Sequence, residues 1–215
     1  MILVTEFRLC DAARWYTWPR MRGRHGKIGR AHRRQSGRSA WLSLFLARVS
    51  VLFCLGGIAQ PGLAEERLKI AGFSFSTPSI WVRQATTSNM RAAQFLVPNT
   101  GSGYDGIVIF FRFPPGLGGS AERNIARWYS QFKEPKELLK AAVETRDREG
   151  RRLHYFRATG TLIGRDGDMP NYALHAALLD GPTGRVFVRF VAPKAVARSN
   201  QAVFRDLIIT AFGSK

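Results

Sequence analysis

The segment Ile107-Val108-Ile109-Phe110-Phe111 is apolar at every position. A strand with one face in water alternates apolar and polar residues, so this run reads as a strand covered on both faces. Pro114-Pro115-Gly116 ends it firmly. The rest of the chain must therefore supply apolar cover above and below a sheet.

Shorter signals surround this strand. Lys69–Phe75 reads as one strand with Phe73 and Phe75 on the same face; Thr77-Pro78 breaks it and Trp81 opens another extended piece. Met90–Val97 is the next strand, closed by Pro98-Asn99-Thr100-Gly101. Ser120 is a good helix N-cap, with Glu122 in the first turn where the helix dipole favours an acid. Ile125, Trp128, Tyr129 and Phe132 then fall on one helical stripe, which the spacing carries to Pro135. Ala141–Arg146 reads as an edge strand inside a charged stretch. Leu153–Leu162, Tyr172–Leu179 and Arg185–Val191 follow as strands separated by Gly- and Asp-rich turns. A last helix is expected from Lys194 to about Ala211, with Pro193 at its start and Val196, Val203, Phe204, Leu207 and Ile208 on its buried face. Strands, helix, strands, helix, with short connections in the second half, give an α+β domain. An antiparallel β-sheet of about six to seven strands is packed by helices.

Charge divides the chain. Residues 1–64 hold 11 Lys and Arg against Glu6 and Asp11, while residues 65–215 hold 22 against 13 acids. Residues 1–40 are expected to be a basic, disordered leader, because the stretch from Arg20 to Arg38 has Ile28 as its only large aliphatic residue. A basic run can bind nucleic acid by neutralising phosphates, but here the next segment decides against that partner. Trp41–Ala59 is apolar apart from Ser43, Arg48 and Ser50, and it runs into Gln60-Pro61-Gly62-Leu63-Ala64 before the polar Glu65-Glu66-Arg67. Positive charge, an apolar run and then small residues are the layout of a secretory signal, so residues 41–64 are expected to be a signal peptide cleaved near Ala64.

The product would be periplasmic or extracellular. The alternative is an uncleaved membrane anchor through residues 41–59, which would place Arg48 near mid-membrane at a cost of about 2.5–3.5 kcal/mol. Phe53 before Cys54 is wrong for a lipoprotein site. The leader exceeds the usual 15–30 or so residues of a signal peptide, so translation is expected to start downstream, at Met21 or a residue such as Leu46. Cys10 and Cys54 both precede the expected cut, leaving 65–215 with no cysteine and no disulfide.

Within that domain, Asn124-Ile125-Ala126-Arg127-Trp128-Tyr129-Ser130-Gln131-Phe132 resembles the Asn-x-x-Arg-Trp-x-x-Gln-Phe helix of exported bacterial proteins of the PsbP-like (Mog/PsbP) fold family. Flanking pieces agree in order: Phe75-Ser76-Thr77-Pro78 before Trp81, Met90-Arg91-Ala92-Ala93, Gly118-Gly119, Thr159-Gly160-Thr161 and Ala192-Pro193. The likeness covers roughly residues 68–212. It implies a single α+β domain over 65–215 in which an antiparallel sheet lies between helices, an α/β/α sandwich. Members of that fold serve unrelated partners, so the resemblance transfers architecture and no activity.

Asn124, Arg127 and Gln131 are the candidate binding residues. Spacings of three and four place them on one helix face, where they can grip an anionic ligand or partner. The competing reading has the two amides fastening a neighbouring loop while Trp128 anchors the core. His154 and His175 each sit in a strand with no acid–nucleophile arrangement beside them; across the sheet they could approach one another as metal ligands, but strand positions are the simpler reading. Asp166 and Asp168 start like a calcium loop but lack its downstream Glu, leaving a hairpin loop. Arg146, Arg148, Arg151 and Arg152, interspersed with Asp147 and Glu149, read as a solvated turn. There is no phosphate-cradling glycine loop and no nucleophile elbow.

No catalytic residue, metal site or cofactor is therefore expected. The expectation is an exported non-enzymatic protein that binds an envelope protein or an anionic ligand, with membrane contact only through its signal. The alternatives are an envelope enzyme whose site assembles only in three dimensions, and a nucleic-acid binder if the basic leader is retained.

Overall fold

The computed structural model describes residues 65–86, 88–101 and 103–214. The expectations for the basic leader, the signal peptide, the start site and Cys10 and Cys54 lie outside the described residues. In chain order the elements are β1 (Glu66–Ile70), β2 (Phe73–Thr77), β3 (Val82–Gln84), β4 (Arg91–Val97), β5 (Gly106–Phe113), α1 (Ala121–Tyr129), β6 (Lys140–Arg148), β7 (Arg151–Leu162), β8 (Met169–Gly181), β9 (Gly184–Pro193) and α2 (Lys194–Gly213). Seven strands form one antiparallel sheet in the order β3-β4-β5-β9-β8-β7-β6, and β1 and β2 form a separate hairpin. This is an α+β fold.

The doubly covered strand at 107–111 is β5, next to the central β9. Its residues divide between two cores. On one face Val108 and Phe110 join Phe95, Val188, Phe190 and Phe204 of α2, and the β1–β2 hairpin closes that side with Phe73 and Phe75. On the other face Ile107, Ile109 and Phe111 join Leu174, Leu178, Phe187 and Trp128 of α1. Period-two alternation thus feeds both layers, and neither face of the central strands is left to water. Aromatic edge contacts tighten the α2 side, where Phe75 and Phe95 meet Phe110 at ring-centroid distances of 5.1 and 6.0 Å. Gly106 opens β5 because a Cβ there would lie 2.8 Å from the Phe190 ring and 2.9 Å from Ala192.

Three expectations change. Lys69–Phe75 is two strands, since Ala71 and Gly72 take φ of 46° and 77° and turn the chain in a two-residue hairpin. Phe73 and Phe75 do share the buried face. Helix α1 stops at Tyr129 with Ser130 as its C-cap, short of Pro135. Backbone bonds from Lys133 N to Thr161 O and from Ile163 N to Gln131 O draw the next residues against the end of β7, and Phe132 is buried from that bridge instead of from the helix. In α2 Val203 is exposed, and the buried stripe instead includes Ala197, Asn200, Ala211 and Phe212. Among the described residues no helix is long and apolar enough to cross a membrane.

Candidate functional site

The loop after β5 delivers the chain to α1 through Gly118 and Gly119, whose φ values of 95° and 75° suit glycine alone. Ser120 caps the helix, its hydroxyl accepting from Arg123 N at 3.3 Å. Glu122 follows, and its carboxyl is held below the usual carboxylate range by its own backbone N–H and the Ser120 hydroxyl. Asn124 is 1% exposed. Its Nδ2 donates to Gly118 O and to Ser120 O, each at 2.8 Å, which uses both amide protons on the loop. Its Oδ1 accepts from Arg127 Nη1 at 3.3 Å. Asn124 therefore ties the glycine loop to the helix with one end of its amide and steadies Arg127 with the other.

Gln131 does similar work one turn on. Its Nε2 donates to Arg127 O at 3.2 Å, and its Oε1 accepts from Arg189 Nη2 at 2.6 Å. Arg189 is the residue that sequence reasoning missed. It lies on β9, paired with Ile109 of β5 and Ala176 of β8, in the middle of the sheet on the α1 face, and only 9% of it is exposed. The available signal was a single charge inside the otherwise apolar Val186–Ala192. A guanidinium at the centre of a covered sheet is expensive unless it is hydrogen-bonded, and the Gln131 amide supplies a partner.

Arg127 and Arg189 line one pocket of about 230 Å³ between α1, the glycine loop and the sheet. Phe111, Phe113, Phe187 and Trp128 line it with Met90, Gly118 and Gly119. Phe113 and Phe187 stack obliquely with centroids 4.8 Å apart. Asn124 also borders the pocket, whereas Gln131 is not among its lining residues but holds Arg189, which is. Among the described residues, no carboxylate, histidine, hydroxyl or thiol lines it. Among the described residues no acid lies within ion-pair distance of Arg127. The arrangement offers cationic donors on aromatic walls.

The remaining candidates separate. His154 faces the α1 side, where it pairs with Leu178 of β8 and its Nδ1 lies 3.0 Å from Thr145 Oγ1. His175 faces the α2 side among Phe190 and Phe204, its Nδ1 3.1 Å from Tyr155 Oη. The two rings are on opposite faces of the sheet, so they do not converge on a metal. Burial pushes the His175 imidazole down to about 4 and the Tyr155 phenol up to about 12, while burial also lowers His154. Asp168 is held by Lys133 Nζ at 2.6 Å in the β7–β8 loop. At the β6–β7 turn Arg146, Arg148 and Arg152 pair with Glu144, Glu149 and Asp147, and Arg151 lies over the Phe73 ring.

No protein-family model matches the sequence, and no curated protein does. Among solved structures the chain is similar to cyanobacterial PsbP (CyanoP) from Synechocystis sp. PCC 6803, with 16% sequence identity and a TM-score of 0.48 over 73% of this chain and 96% of that one. It is also similar to PA94 from Pseudomonas aeruginosa, a protein of unknown function described as a putative regulator. There the identity is 12% and the TM-score 0.38, covering 71% of this chain and 98% of that one.

Proposed function

We propose that the chain is an exported, non-enzymatic protein of the cell envelope. Cleavage near Ala64 releases a PsbP-like domain, residues 65–215, which binds a small ligand between α1 and the sheet. The observation that carries the binding reading is the pocket that Arg127 and Arg189 line together with aromatic walls, its lining among the described residues including no acid, histidine or hydroxyl. Apolar pockets with a few convergent polar groups are where small molecules bind, and the missing proton-transfer groups favour holding over conversion. Export rests on the order of basic run, apolar run and small residues before Glu65. The PsbP-like reading rests on the Asn124–Phe132 motif and the order of its flanking pieces.

Native mass spectrometry of the protein recovered from its own cell envelope tests both parts. The expected result is a chain starting at Glu65 with a small-molecule adduct that denaturation releases. A start near Met1 or Met21 overturns export and makes membrane anchoring or nucleic-acid binding the hypothesis to pursue. A bare chain in every native preparation overturns ligand binding.

A further inference from the structure

The geometry points to a specific ligand class for this pocket: a small carboxylate with a flat apolar body, its head group on the Arg127 and Arg189 guanidiniums and its body against Phe111, Phe113, Phe187 and Trp128. The inference rests on the pocket being a ligand site and adds what that site selects. A guanidinium presents a planar fork of N–H donors that matches a carboxylate, and both residues able to reach a ligand's charge here are arginines. Arg127 commits one N–H to Asn124 among the described residues, and an arginine has five.

The walls decide between anions. Inorganic phosphate is polar on all sides, so in this pocket several of its oxygens would face Phe and Trp rings without hydrogen-bond partners. A carboxylate with a ring or short chain is polar at one end only, matching a pocket lined by both arginines and aromatic rings. Volume bounds the size: about 230 Å³ lies below the roughly 300–1,000 Å³ typical of sites for drug-sized ligands, so the body is about one ring. The two amides that brace the arginines are positioning residues. Asn124 holds Arg127, Gln131 holds Arg189, and the guanidiniums are set in place before a ligand arrives.

The test titrates the isotope-labelled whole protein separately with phenylacetate, phenylacetamide and inorganic phosphate, following backbone amide shifts. Phenylacetate is expected to move the Gly118, Gly119, Trp128 and Arg189 signals, with phenylacetamide binding about tenfold or more weakly because it carries no negative charge to pair with the guanidiniums. Arg127→Gln should weaken phenylacetate about tenfold and phenylacetamide by a smaller factor. Arg127 is exposed, so this variant keeps its fold. Arg189→Lys, which keeps the charge but loses the fork, should also weaken phenylacetate; amide spectra without ligand show whether it has folded. Equal binding of acid and amide, or binding of phosphate alone, overturns the carboxylate assignment and leaves the pocket a ligand site. No shift at these amides with any of the three overturns the assignment and the pocket reading together.

Discussion

Asn124 does two tasks with one amide, which makes it a sensitive position in the site. Its protons hold Gly118 O and Ser120 O, and alanine would leave both carbonyls to find other partners. Asn124→Ala should lower unfolding free energy by about 1–3 kcal/mol in urea titrations, and a change within experimental error would mean that water replaces the amide there. His175 offers a second test, through pH. Its folded pKa of about 4 lies below the ordinary 6.5, so between those values the unfolded chain binds more protons. Stability from this group is complete above about pH 6.5, falls as pH drops through that window, and has lost about 3 kcal/mol once pH is below about 4. His154, also lowered by burial, acts in the same direction. His175→Gln should be less stable at neutral pH but lose less between about pH 7 and about pH 4 than the parent. Equal losses in urea unfolding at the two pH values would mean that His175 is not held neutral by its surroundings.

Helix α1 has nine residues, too few to be stable alone, so packing must hold it. Trp128 supplies that packing, buried against Phe156 at a centroid distance of 5.6 Å. Trp128→Ala should cost about 3–5 kcal/mol and release the pocket wall, whereas Ser120→Ala, which removes only the cap, should cost about 1 kcal/mol. Thermal unfolding orders the two; equal losses would mean that the helix is held by its ends. The helix, its cap and Trp128 were legible in the sequence because each is local, either a spacing or a residue beside a breaker. Its C-terminal end was not, since the periodicity runs on to Phe132 while long-range bonds to Thr161 and Ile163 pull the backbone out of the helix. The hairpin at Ala71 was missed for the opposite reason. A two-residue turn leaves almost no polar gap between strands, and Ala71 at positive φ is a residue that sequence rules do not place there. The site divides the same way. Asn124, Arg127 and Gln131 share a helix and could be grouped by spacing, but Arg189 joins them only when β9 is placed under α1, a contact spanning 58 residues of chain.

Among the described residues the seven-stranded sheet ends at β3 on one side and β6 on the other, and each end limits edge pairing differently. At one end β3 is three residues long, which leaves little backbone to recruit another strand. At the other, β6 is nine residues long and among the described residues pairs only with β7, so its outer N–H and C=O groups form a long potential template. Its protection is charge: Lys140, Glu144, Arg146, Asp147 and Arg148 are spread along a strand that otherwise carries Ala, Val and Thr. The ion pairs of Arg146 with Glu144 at 3.5 Å and Arg148 with Glu149 at 3.7 Å are exposed, and such pairs contribute about 0–1 kcal/mol each. Arg146 and Arg148 therefore matter less to folding than to what the edge repels. Replacing both with valine makes the strand Ala-Ala-Val-Glu-Thr-Val-Asp-Val, rich in strand formers and short of cations. The double variant should change unfolding free energy by no more than about 1 kcal/mol, yet scatter more light and elute earlier in gel filtration at the same concentration. A variant that stays monodisperse as concentration rises would show that the twist of the β6–β7 pair, and not its arginines, keeps this edge alone.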